Sequence, residues 1–303
     1  MTSTLIILAA YLSTVAAPLA DQPTAAPPAP ADAKAPATEE KAPATLTQAI
    51  PAAAYEVEFT QVPQRTVDGK ARPAFYLSTT EITWDAFDTF VFALDGTDKD
   101  SKPASGKPAD AVSRPSKPYI PPDRGFGHEG YAAICVSAKS AQEFCKWLTM
   151  VAGPESGRTF RLPTEDEWEH AARGGATTAF PWGDDAAQAE AHAWTNANSE
   201  NTTHPVGTKP ANALGFKDMI GNAREWVVGR DGQLVVKGGS YRDAPEACTI
   251  AARWAPEKAW QATDPQIPKS QWWLSDGSFI GFRVVCEVAP KVTSTSPSDE
   301  LTK

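Results

Sequence analysis

The residues able to do redox or metal chemistry in this chain are few. There are four cysteines, Cys135, Cys145, Cys248 and Cys286, and four histidines, His128, His170, His192 and His204. Thiolates act as nucleophiles and as soft-metal ligands. No two of the histidines stand three or four residues apart, so none pairs on a helix face as a metal-binding couple. The Gly174-Gly175 and Gly238-Gly239 pairs lack a phosphate-loop context. The Ser, His and Asp residues show no hydrolase elbow. The thiols are therefore the first candidates for chemistry, with carboxylates second.

Several elements must position these groups. Glu56 to Gln61 alternates and predicts a strand, and Phe75-Tyr76-Leu77 a second. Thr83 opens a helix that lines up Trp84, Phe87, Phe90, Val91 and Leu94. Residues 95–130 are rich in Pro and Gly and read as a long irregular segment. Ser137 opens a helix with Ala141, Phe144, Cys145 and Leu148 on its buried stripe, and Gly153 stops it. Thr164 and Glu167 form a capping box for a third helix, with Trp168, Ala171 and Ala172 inward and Gly174-Gly175 at its end. His170 lies in that helix as a partly exposed residue. Val235-Val236-Lys237, Thr249-Ile250-Ala251 and Phe282 to Val285 read as strands.

The chain has 303 residues, 42% hydrophobic and 21% charged, with 10 Trp and 27 Pro. Many Trp with few long helical runs predict a loop-rich core plugged by aromatics. A net charge of −9 argues against a nucleic-acid or anionic-membrane partner. Residues 1–20 read as a signal peptide, with a short apolar run followed by Ala16, Ala17 and Ala20. Residues 21–52 read as an Ala/Pro-rich disordered linker. One folded domain is expected over 53–289, with a disordered tail over 290–303. The expected localisation is secreted or periplasmic, with no membrane span left after signal cleavage. Four cysteines in an exported chain suggest disulfides, in three possible connectivities.

The most specific signal is a series of blocks. Arg161-Leu162-Pro163-Thr164-Glu165-Asp166-Glu167-Trp168-Glu169 comes first. Gly221-Asn222-Ala223-Arg224-Glu225-Trp226 and Lys237-Gly238-Gly239-Ser240-Tyr241 follow, and Gly281-Phe282-Arg283 closes the series. In this order the blocks resemble the formylglycine-generating enzyme, or sulfatase-modifying-factor, family. The resemblance implies an α+β, loop-rich single domain, a variant of the C-type lectin fold. Family enzymes oxidise a sulfatase cysteine to formylglycine with oxygen and a copper ion held by two cysteines.

The resemblance places Asp243 at the first of those cysteine positions and Cys248 at the second, with Ser240 beside them. A carboxylate in place of a thiolate suits copper(I) poorly, so copper is not expected. The family's iron branch needs a histidine cluster that this chain lacks. The resemblance also implies a calcium ion at Asp218, Gly221, Ala223 and Glu225, where two carboxylates and carbonyl oxygens suit a hard cation. The other reading of Glu225 is an ion pair with Arg224 or Arg253. The resemblance favours a Cys145–Cys286 disulfide, leaving Cys135 and Cys248 paired or free. The expected function is that of a binding or accessory module for an extracytoplasmic protein or glycan. The alternative is a formylglycine-generating oxidase working through Cys248.

Overall fold

The computed structural model describes residues 44–50, 55–67, 70–92 and 121–289. The signal peptide, the tail, most of the linker, Leu94 and the 95–120 part of the irregular segment lie outside the described residues. Eleven strands are described. The first five are β1 (Thr45–Ala49), β2 (Glu56–Val62), β3 (Arg65–Val67), β4 (Lys70–Arg72) and β5 (Phe75–Ser78). The others are β6 (Arg158–Arg161), β7 (Arg224–Val228), β8 (Leu234–Lys237), β9 (Arg253–Trp254), β10 (Ile280–Gly281) and β11 (Val285–Val288). The α-helices are α1 (Trp84–Val91), α2 (Ala138–Ala152), α3 (Glu165–Arg173) and the short α4 (Ala189–His192). Among the described residues no helix is long and apolar enough to cross a membrane.

One antiparallel sheet runs β1-β2-β5-β11-β6. A second runs β10-β7-β8-β9, with β10 parallel to β7. β3 and β4 form a separate hairpin. The strand β1 corrects the linker boundary expected at residue 52. Thr45-Leu46-Thr47-Gln48-Ala49 contains no Pro to interrupt a ladder and carries strand-favouring Thr. It pairs with β2 from Thr45↔Thr60 to Ala49↔Glu56, and Leu46 packs against the core.

Helix starts follow local chemistry. Ser137 caps α2 by accepting from Ser140 N at 3.1 Å. Thr164 and Glu167 close the capping box on α3, and Glu167 also takes the Arg161 guanidinium on both oxygens at 2.7 Å. The charged residues from Arg161 to Glu167 thus serve to start α3. Thr83 occupies the cap position of α1, but its side chain makes no cap hydrogen bond. Phe87, Phe144 and Phe282 join α1, α2 and the chain after β10, with ring centroids 5.4–5.7 Å apart. Offset and edge-on contacts at such separations favour aromatic pairs.

Two strand expectations move. Residues 249–251 form a turn, and the strand follows at β9. Residues 282–284 lie between β10 and β11, since here the chain crosses from one sheet to the other. The Phe282 carbonyl accepts from Ile82 N and the Val284 carbonyl from Ser78 N, both at 2.9 Å. Between them Arg283 turns inward and is fully buried. It donates Nε to Glu225 Oε2 at 2.7 Å and Nη2 to Glu225 Oε1 at 2.8 Å. It also donates Nη1 to Ser78 O and Nη2 to Lys217 O. Trp168 of α3 donates its indole N–H to Glu225 Oε2 at 2.6 Å.

Both ions of this pair are desolvated, so each depends on the other. Glu225→Gln is expected to lower stability by about 3–5 kcal/mol by leaving a buried guanidinium uncompensated. Combining Glu225→Gln with Arg283→Met should recover a sizeable part of that loss, as read by urea unfolding. Simple addition of the two single losses would show that the pair does not act as a unit.

Candidate functional site

β8 ends at Lys237 and runs into Gly238 and Gly239, both at positive φ (90° and 74°). At Gly239 the requirement is also steric, because a Cβ there would collide with the Cys248 sulfur. The chain then turns through Ser240 and returns over a short 3-10 turn, Pro245–Ala247, to Cys248. This turn brings Ser240, Asp243 and Cys248 together.

The centre of the turn is an ion pair. Arg224, at the start of β7, donates Nη2 to Asp243 Oδ1 at 2.6 Å and Nε to Oδ2 at 3.0 Å. Ser240 Oγ donates to Asp243 Oδ2 at 2.7 Å. Both charged side chains are largely buried, at 11% and 15% exposure. Arg224 also lies 4.0 Å over the Trp254 ring and 4.9 Å from the centre of Phe279. A two-pronged charge-assisted pair of this kind is strong and directional. Ser240 is therefore tied to the carboxylate, and the carboxylate to a guanidinium.

Cys248 is fully buried and its Sγ donates to Ala244 O at 3.4 Å. Burial first, and the negative charge of Asp243 second, push its pKa up to about 12. The thiol form dominates at neutral pH, so Cys248 is a poor nucleophile and a poor metal ligand. Copper(I) held by a thiolate pair does not fit these residues. One of the two positions is a hard carboxylate already taken by Arg224, and the other is a protonated buried thiol.

All four cysteines are free and buried, which corrects the expected Cys145–Cys286 disulfide. Cys145 lies on the buried stripe of α2 and Cys286 in β11, and each serves as a small apolar residue of the core. Burial raises the pKa of both. It also pushes Cys135 up to about 11, against the pull of the neighbouring Arg124.

Of the expected calcium residues, Asp218, Gly221 and Ala223 lie in the chain leading into β7 and Glu225 lies in β7 itself. Gly221 takes φ 81°, and a Cβ there would run into the Trp194 carbonyl. Glu225 pairs with Arg283 rather than with Arg224 or Arg253. Asp218 accepts from Gly207 N through Oδ2, while its buried Oδ1 has no partner. Glu81, also buried, has an unpartnered Oε2 and accepts from Asn222 Nδ2 through Oε1 at 3.0 Å. Burial raises the Glu81 pKa, and the charges of Asp218 and Glu225 raise it further. Burial likewise raises Asp218, opposed by the Gly207 N–H. Three carboxyl groups thus face one guanidinium. Asp218 keeps an unpartnered oxygen of the kind hard cations take, but among the described residues these carboxyl groups are not gathered into a cluster placed to hold a metal.

The histidines are dispersed. His128 bridges Asp88 at 2.7 Å and Asp123 at 3.1 Å. His192 stacks on Trp182, and His204 on Trp194. His170 lies on α3 with its pKa lowered by burial. Among the described residues no group of three or more His, Cys, Asp and Glu is placed to hold a metal.

Sequence reasoning missed three features: the Arg224–Asp243 pair, the Arg283 partner of Glu225, and a cleft beside the turn. The cleft measures about 630 Å³ and is lined by Arg124, Phe126, Arg242, Trp260, Asp276 and Phe279, among others. The one available signal was that a carboxylate replacing a thiol needs a cation, and Arg224 stands in a block already singled out.

Residues 32–288 match the family described as the sulfatase-modifying factor enzyme 1-like domain. A formylglycine-generating enzyme of Mycobacterium tuberculosis is 37% identical over 108 residues, 32% of this chain and 33% of that protein. A bovine (Bos taurus) relative, inactive C-alpha-formylglycine-generating enzyme 2, is 29% identical over 131 residues, 38% of this chain and 40% of that protein. The chain thus spans well under half the length of these curated relatives. Among solved structures, Treponema denticola variable protein 1 aligns with a TM-score of 0.54 at 18% identity, covering 80% of this chain and 99% of that one. CarF aligns with a TM-score of 0.50 at 18% identity, covering 77% and 99%. These structural likenesses show the fold. The family match across residues 32–288, on a loop-rich α+β architecture of the same type, means that this chain belongs to the sulfatase-modifying-factor, or formylglycine-generating enzyme, family.

Proposed function

We propose that this chain is a non-copper member of its family and works as a binding or accessory module. The observation that supports this reading is the state of the two positions where family enzymes place their copper thiolates. Asp243 is locked by Arg224 and Ser240, and Cys248 is a buried thiol with its pKa pushed up to about 12. A relative named as an inactive formylglycine-generating enzyme is consistent with this role. The direct test adds copper(I), oxygen and a Cys-containing sulfatase peptide to the purified protein and seeks the aldehyde by mass. No aldehyde is expected. Oxygen-dependent aldehyde that disappears in Cys248→Ser would overturn the reading and establish an oxidase working through Cys248.

We further propose that calcium binds at Asp218, Gly221, Ala223 and Glu225. The unpartnered Asp218 Oδ1 and the excess of buried carboxyl groups over Arg283 support this. An ion that binds only the folded state stabilises it by mass action. Chelation should therefore lower the melting temperature by about 5 °C. Asp218→Asn keeps an acceptor for Gly207 N but removes the charge, and should abolish the chelator's effect. Glu225 is unsuitable for this test because it also holds Arg283. A wild-type melting temperature that ignores the chelator would mean that Glu81 and Asp218 are held by protons instead.

A further inference from the structure

The cleft beside the Arg224–Asp243 pair has an unusual balance of charge. Arg124 and Arg242 line it, with Asp276 as its acid. Asp276 is already engaged, accepting from Thr263 N at 2.8 Å, Thr263 Oγ1 at 2.8 Å and Ser275 Oγ at 3.0 Å. Nearby Asp123 is occupied by His128 and by Gly125 N. Arg224 is neutralised by Asp243. Among the described residues neither Arg124 nor Arg242 forms an ion pair within 4.0 Å. The hydrogen bonds to Asp276 keep it ionised, and its charge acts on Arg124, so the cleft sets two guanidinium groups against one carboxylate on a chain whose net charge is −9.

The two arginines come from different segments of the chain. Arg124 sits in a tight turn at φ 59°, with its N–H donated to Pro121 O at 2.9 Å. A non-glycine residue at positive φ is uncommon and marks a position fixed by its surroundings. The exposed Arg242 lies 4.8 Å from the centre of the Phe279 ring, which Arg224 approaches at 4.9 Å. Phe279 and Trp260 meet edge to face at 6.0 Å and form the apolar wall. Convergent polar groups on an apolar wall are the ordinary form of a ligand site.

We propose that this cleft binds a carboxylate-bearing ligand, with Arg124 and Arg242 as the anion-holding forks and Phe279 and Trp260 as the apolar wall. The proposal rests on the binding-module reading and names the ligand class for it. Guanidinium forks match the planar, two-oxygen geometry of a carboxylate. The cleft is lined by no lysine and no Gly-rich run, the features with which phosphate sites are commonly built. The same chemistry is offered by a free small dicarboxylate and by the acidic side chains of a peptide.

The test titrates the full chain with glutarate, with the peptide acetyl-Gly-Glu-Glu-Gly-amide, and with its Gln-Gln counterpart, by calorimetry and tryptophan fluorescence. Binding by both acidic probes identifies a free-carboxylate site, and binding by the Glu peptide alone identifies an acidic-peptide site. Either result supports the proposal if Arg242→Ala and Arg124→Ala each weaken it by about tenfold or more and Arg242→Lys weakens it less. Lys146→Ala, a cation on the exposed face of α2, should leave affinity unchanged. Loss of wild-type affinity with added salt is a measure that needs no variant. Three results would overturn the proposal: no binding at about 10 mM probe, equal binding of the Gln peptide, or affinity indifferent to both arginines. Tighter binding of inorganic phosphate or sulfate would overturn the carboxylate assignment. The aldehyde assay is scored separately. Aldehyde formation removes the module reading whatever the cleft binds. An empty titration without aldehyde removes only this inference.

Discussion

Glu225 and Arg283 are buried where the two sheets meet, and much of the domain hangs on them. Glu225 belongs to β7 of the four-stranded sheet. Arg283 lies in the crossover that carries the chain from β10 of that sheet to β11 of the other. Its remaining N–H groups reach the carbonyls of Ser78 at the end of β5 and Lys217 in the loop before β7. Trp168 brings α3 onto the same carboxylate. One ion pair therefore fixes the sheets, a helix and a loop relative to each other. Such a pair adds little net stability over apolar packing, but breaking it leaves a buried charge. It acts as a registration device for a domain with short strands and few helices.

The same hairpin that presents Glu225 also leads into the turn that carries Asp243 and Cys248. β7 and β8 pair from Glu225↔Lys237 to Val228↔Leu234, so the turn after β8 is delivered beside the first residues of β7. Arg224 and Glu225 are neighbours in sequence and point to different partners, Arg224 to Asp243 and Glu225 to Arg283. The family fold is thus retained, with Asp243 held in a closed ion pair and Cys248 still a cysteine. The consequence reaches Cys248, whose thiolate would be placed against the Asp243 charge. What the turn leaves open is the neighbouring cleft, where Arg124 and Arg242 have no carboxylate within 4.0 Å among the described residues.

Features set by neighbours in the chain were legible in the sequence. The Ser137 and Thr164 caps, the α2 stripe through Phe144 and Cys145, and the strands at Glu56 and Phe75 all follow from local periodicity and capping chemistry. Features set by distant pairing were not. β1 forms because Thr45–Ala49 finds β2, and composition alone placed it in a linker. Residues 282–284 have strand-like composition but lie in a crossover. The family blocks located Asp243 and Cys248, yet the cation holding Asp243 lies 19 residues away and the one holding Glu225 lies 58 away. The four free thiols likewise reflect packing that cysteine spacing does not encode.

We propose that the Asp243 carboxylate and its guanidinium close this position to copper. The most direct measurement is competition for copper(I) against a strong chelator, with wild type beside Asp243→Cys. A pair of thiolates binds this soft ion far better than one thiol beside a carboxylate. Wild type is expected to yield copper to the chelator, and Asp243→Cys to retain it at least about tenfold better. Wild type holding copper as tightly as the two-cysteine variant would show that the position is open.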